Sequence, residues 1–280
     1  MSEPPRKSSV ALIPREHGAW AMLLQPFAGA LIVLHKLAWP VLPALAAVVL
    51  VFLLRDPLTL LARQRWVWRD KRPESAVALR YLVVEVVLLA LAGGALLLVW
   101  PLGILAVLAG AAGALTVLAV YMTVRNRQRA VWLQALSAAG LSSSALAACL
   151  AIARTIPVWG WWMWGLHAAH FLGGILVVHA RLEARIAARK ATPVLTEAFQ
   201  RMRNQATSVE ALLVFAAIAL AATLRFFYAA ALALSGAFHL MDLYNLHTER
   251  ALAMPLKTAG KRALTVSIVF GLLIVAGSFF

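Results

Sequence analysis

Charge is what this sequence has least of: 13% of its 280 residues are Asp, Glu, Lys or Arg, where soluble domains carry roughly 25%. Acids are scarcer still, eleven against 26 basic residues, for a formal net charge of +15. With 63% of the chain hydrophobic, a soluble fold would lack the polar surface to cover itself. One cysteine, Cys149, excludes an internal disulfide framework and a thiolate metal site; in its apolar run it reads as small core packing. Met1–Ser9 is polar and no small-residue cleavage site follows a short apolar core, so the first apolar segment reads as a retained helix rather than a signal peptide.

What is present is a series of apolar runs. A helix needs about 20 such residues to cross a bilayer, with ~17–25 tolerated. Nine runs are read as spans, at about 17–35, 40–54, 79–99, 102–122, 131–152, 159–179, 207–223, 227–245 and 263–280. The second is short and begins at Pro40 and Pro43, so it reads as tilted or kinked. Leu224-Arg225-Phe226 divides the seventh from the eighth as a tight turn. Lipid-exposed backbone must satisfy its own hydrogen bonds, so the expected fold is an all-α, polytopic transmembrane helical bundle. It forms a single transmembrane domain over 1–280, with a tail at 1–13 and long basic loops at 55–78 and 180–206, both partly helical. Glycines in runs three to five (Gly93, Gly94, Gly103, Gly110, Gly113, Gly140) predict close helix contact.

The basic residues fall on one side of this scheme. The tail and the even-numbered connections hold 23 of the 26; Lys36, Arg154 and Arg225 are the exceptions. That bias predicts a cytoplasmic amino terminus and a multi-pass protein of the bacterial inner membrane. Six tryptophans, Trp39, Trp100, Trp159, Trp161, Trp162 and Trp164, lie at the opposite ends, as interfacial belts do. The cations imply contact with anionic headgroups. Nucleic acid is not expected as a partner, because the cations are split among five short segments.

The remaining polar residues suggest where a site would lie. Glu16, Asp56, Glu85, Glu183, Glu210, Asp242 and Glu249 are expected at the basic ends of the helices, and intramembrane ionisable groups face a partner or a cavity. Glu85 could line such a cavity or pair with Arg15 or Arg55. Asp242, Asn245 and Glu249 share one helix face; they read as hard ligands for a metal, or as a solvated or arginine-paired face. His170 and His239 lie near mid-depth and could ligate a haem, or sit as hydrogen-bonded core histidines. His17 beside Glu16 could form an acid–base pair.

Pro14-Arg15-Glu16-His17-Gly18-Ala19-Trp20-Ala21-Met22-Leu23 resembles the opening signature of the YwiC-like family of bacterial membrane proteins. Phe171-Leu172-Gly173-Gly174 with His179-Ala180-Arg181, and Pro255-Leu256-Lys257-Thr258-Ala259-Gly260, resemble its later elements. The resemblance implies no established activity and transfers no catalytic residue. A remoter likeness is to the UbiA-type intramembrane prenyltransferases, whose Asp-rich loop is reduced here to Asp56 and Arg72-Pro73. Two Mg²⁺ ions bridging a diphosphate need several converging carboxylates, so the likeness implies that metal-dependent chemistry is lost.

The expectation is a polar, basic cavity open to the cytoplasm that binds an amphipathic anionic ligand of lipid, isoprenoid or haem type. Its expected lining is Arg15, Glu16, His17, Arg55, Asp56, Arg72, Glu85, His179, Arg181, Glu183 and Asp242. The alternatives are a UbiA-like transferase with degenerate motifs, a haem-binding protein and a transporter.

Overall fold

The structure is a computed structural model that describes residues 17–69, 74–190, 193–248 and 252–280. It is all-α: 86% helix, with no strand among the described residues. The helices are α1 (His17–Leu34), α2 (Val41–Arg63), α3 (Glu74–Leu96), α4 (Leu102–Val124), α5 (Val131–Ser142), α6 (Ser144–Ala153), α7 (Val158–Lys190), α8 (Pro193–Ala222), α9 (Phe226–Asn245) and α10 (Leu256–Gly277). Counting α5 and α6 as one apolar stretch, eight of the helices among the described residues are long and apolar enough to span a membrane, and α1 is a shorter apolar helix. The protein is a multi-pass membrane protein.

Proline sets several starts. Pro101 and Pro255 are extended N-caps of α4 and α10, and Pro193 is the first residue of α8. A missing N–H costs nothing there, because the first turn has no acceptor for it. Between α8 and α9 the turn is as tight as expected: Leu224 takes φ 60° and the Arg225 N–H returns to the Leu220 carbonyl at 2.9 Å. Three helices run further than their apolar cores. α2 passes through Pro57 and ends in a π-turn at Gln64–Trp68, closed by Arg69 at φ 54°. α7 continues to Lys190, and α8 begins at Pro193 rather than near residue 207. Most of the residues expected in the two long basic loops are therefore helical.

The chain divides into two compact units. In the first, Ala46–Gln128, α2 ends beside α4, where an Arg63 guanidinium N–H donates to the Thr123 carbonyl at 3.2 Å. Ser75 at the start of α3 bonds to the Gln64 side chain.

The second unit, Gly18–Leu45 with Arg129–Phe280, contains α1 and α5–α10. Part of its core is Leu176, Val177 and Ala180 of α7, Ala206 of α8, and Leu243 and Leu246 at the end of α9. Polar ties lock α1 against it. The Gln25 amide donates to the Ser267 carbonyl at 2.5 Å, and the Ser144 hydroxyl donates to the Leu23 carbonyl at 2.6 Å. The α5–α6 break falls at Ser143, whose hydroxyl turns back to the Gly140 carbonyl at 2.7 Å; such back-bonding bends helices. Close glycine packing occurs here rather than where it was expected. Gly93, Gly94, Gly103, Gly110 and Gly113 have open space beside them among the described residues, whereas Gly29 meets Met163 and Val275, and Gly160 meets Cys149.

Candidate functional site

Two hairpins put one set of polar residues at a common level. Gly173 lies seventeen residues before the end of α7, and Glu210 seventeen residues after the start of α8. Glu210 lies twelve residues before the end of α8, and His239 thirteen residues after the start of α9. Twelve residues of helix are roughly 18 Å, so Glu210 and His239 lie at about the same distance from the α8–α9 turn. This corrects its expected place at a helix end: α8 begins at Pro193, so Glu210 lies within the helix.

At that level Glu210 is fully buried. Its Oε1 is hydrogen-bonded to His239 Nδ1 at 2.8 Å, while Oε2 has no hydrogen-bond partner. Bare glycine surface accommodates the pair: a Cβ on Gly173 would collide with Glu210 Oε1, and Gly236 lies beside Oε2. The His239 ring stacks on His170, with centroids 5.6 Å apart and planes 12° from parallel. His170 bonds through Nδ1 to the Ser235 hydroxyl at 2.6 Å and through Nε2 to the Ser267 hydroxyl at 2.9 Å. One turn along α7, His167 bonds through Nδ1 to the Met163 carbonyl at 2.8 Å, and its Nε2 is buried without a partner.

The arrangement does not fit haem ligation by His170 and His239. Axial imidazoles point a nitrogen at each other across the iron. Here the rings lie face to face, and both His170 nitrogens are taken by serines.

A second polar group lies toward the end of α7. One Arg181 guanidinium nitrogen meets both Asp242 oxygens, at 2.5 and 2.6 Å, with Arg181 buried. Both Asp242 oxygens therefore face a cation, which fits the arginine-paired reading of the α9 face rather than the metal reading. Of its expected companions, Asn245 ends α9 and Glu249 lies outside the described residues. Arg129 reaches Glu183 at 3.5 Å. Arg185 donates to the carbonyls of Leu252, at 3.0 Å, and Met254. His179 Nδ1 is buried without a partner.

The expected lining thus falls into three sets. His179, Arg181, Glu183 and Asp242 gather in the second unit. Arg55, Asp56 and Glu85 belong to the first, where Arg55 Nε lies 3.5 Å from Asp56 and Glu85 is buried with Oε2 unpartnered. Arg15, Glu16 and Arg72 lie outside the described residues, and His17 opens α1. No group of three or more His, Cys, Asp or Glu suited to a metal ion occurs among the described residues.

The sequence reading left Glu210, Ser235, Ser267 and Gln25 out of the site. The hairpin count from the two turns would have aligned Glu210 with His239. The serines carry no such signal, because short hydroxyls are common in membrane helices.

Residues 13–149, just under half of the chain, match a family model described as YwiC-like protein. The match includes the motif at 14–23; the Phe171–Gly174 and Pro255–Gly260 elements lie beyond it. No curated protein and no solved structure matches the chain.

Proposed function

We propose that this multi-pass membrane protein, YwiC-like over residues 13–149, binds an amphipathic anionic ligand of lipid, isoprenoid or haem type at its basic end. In the same reading that end faces the cytoplasm from the bacterial inner membrane, as the division of basic residues supports.

The observation that carries this reading is the charge balance where α7 leaves the apolar layer. Arg181 and Asp242 neutralise each other, and Glu183 answers Arg129. Arg185 instead spends its guanidinium on the carbonyls of Leu252 and Met254. Carbonyl dipoles hold the group in place but do not cancel its charge, so among the described residues Arg185 has no acidic partner; nearly two turns earlier on α7, the buried Nδ1 of His179 has no partner either. An anionic headgroup would supply the missing charge and accept from a guanidinium. Its apolar tail would lie along the neighbouring lipid-facing helices.

Native mass spectrometry of the full chain, purified in detergent and mixed with phosphatidylglycerol or phosphatidylcholine, tests the proposal. Preferential retention of the anionic lipid, lost in the double variant R129Q/R185Q, is the expected result. Equal retention of both lipids, or no change in the variant, overturns it.

A further inference from the structure

Arg185 does more at the basic end than carry charge. Its Nε donates to the Leu252 carbonyl at 3.0 Å and its Nη2 donates to the Met254 carbonyl. Those carbonyls lie on either side of Ala253, in the last stretch of chain before Pro255, the N-cap of α10. One side chain of α7 therefore fixes where α10 starts. The other ties on this stretch are local or weak. The Leu252 N–H returns to the Thr248 carbonyl at 3.2 Å, and an Arg262 N–H reaches the Met254 sulfur at 3.9 Å. A thioether is a weak acceptor.

A guanidinium carries its N–H donors in a planar fork. The two carbonyls occupy the side formed by Nε and Nη2. The end formed by Nη1 and Nη2 makes no further hydrogen bond among the described residues, and Arg185 is half-buried rather than sealed off. The N–H bonds at that end run parallel, which suits two oxygens of one phosphate or carboxylate. On the occupied side the carbonyl oxygens repel an anion. The contact that holds the chain thus also sets the direction from which an anion is bound.

A loose arginine must give up side-chain freedom to bind an anion in this way. Arg185 has already given it up to the two carbonyls. The anion therefore binds the clamped form more tightly than a form in which residues 252–255 have pulled away. Differential affinity of that kind shifts the equilibrium toward the form that binds better, and the effect is reciprocal.

We propose that Arg185 couples ligand binding to the fold: the phosphate of an anionic phospholipid, seated on the Nη1–Nη2 end, holds residues 252–255 against α7 and so steadies the start of α10. This rests on anionic-ligand binding at the basic end and adds what that binding does.

Hydrogen exchange of the full chain in lipid nanodiscs, read by mass spectrometry over residues 252–260, tests it. The Leu252, Thr258 and Ala259 amides, bonded to the Thr248 and Pro255 carbonyls, report the opening. Wild type should exchange more slowly in phosphatidylglycerol than in phosphatidylcholine by roughly fivefold, the low end of typical coupling. Inorganic phosphate added to phosphatidylcholine discs should not reproduce the slowing; if it does, the assignment to a lipid fails. R185K keeps the cation but not the fork, so it should lose the slowing, and slowing as large as in wild type overturns the proposal. The wild-type comparison decides even if the variant does not fold. Equal exchange in the two lipids, with phosphatidylglycerol still preferentially retained in native mass spectrometry, overturns this inference alone. Loss of that preference in wild type overturns the reading of the basic end and this inference with it.

Discussion

Gly173 and Glu210 share a space that admits one of them with a side chain and not both. A Cβ on Gly173 would fall inside the contact radius of Glu210 Oε1, which His239 holds in place from the other side. The carboxylate cannot swing away, because Glu210 is fully buried. Gly173→Ala should therefore destabilise the fold by about 1–3 kcal/mol, the usual cost of overpacking a core. Thermal unfolding of the detergent-solubilised protein would show it as a lower midpoint. In an E210A background the same change should cost far less, because the colliding atoms are gone; an equal cost would show that the clash is not with Glu210.

That relationship also marks how far the sequence could be read. Apolar runs were legible because lipid demands them, and the turn at Leu224–Phe226 was legible because one helix over 207–245 would be too long for the bilayer. The ends were legible only in part. Helical propensity continues past the apolar layer into basic segments: the basic stretch after 179 was expected to be partly helical, as α7 to Lys190 is, whereas α8 begins at Pro193 rather than near residue 207. With the start of α8 misplaced, Glu210 was assigned to a helix end and its contact with His239 was lost. The Arg181–Asp242 pair was half legible: both residues were expected in one cavity, but nothing in the spacing said they would satisfy each other.

Gln25 and Gly271 form a second such fit, across α1 and α10. The Gln25 amide fills the space above Gly271 and donates to the Ser267 carbonyl. Gly271→Ala should expel the amide, and Gln25→Ala should delete it, each losing a hydrogen bond of about 1 kcal/mol. Because both act on one contact, the double variant should lose less than the sum of the singles. Denaturation midpoints of the four proteins check this; strict additivity would separate the two sites.

Cys149 is buried in α6, with its sulfur against Gly160 at the start of α7. The thiol should resist a membrane-permeant maleimide in the folded protein and label fully after denaturation. Gly160→Ala places a methyl group 3.1 Å from the sulfur, which a small shift of α6 relieves. Faster labelling in that variant, read by mass spectrometry, is the expected sign of a loosened contact, and unchanged protection would show that the helices accommodate the methyl group without parting.

The Arg181–Asp242 pair should behave as a buried ion pair whose loss is asymmetric. Arg181 has 3% of its side chain exposed and Asp242 19%. Removing one partner leaves the other charge in a poorly solvated place, a change that typically costs about 3–5 kcal/mol. Asp242→Asn should therefore destabilise strongly, and Arg181→Met should do the same by orphaning Asp242. Replacing both together, as R181M/D242L, removes the two charges and their desolvation at once, so most of the lost stability should return. Thermal midpoints of the singles and the double in the same detergent decide it. A double variant less stable than either single would mean that the pair carries more than its own mutual attraction at the junction of α7 and α9.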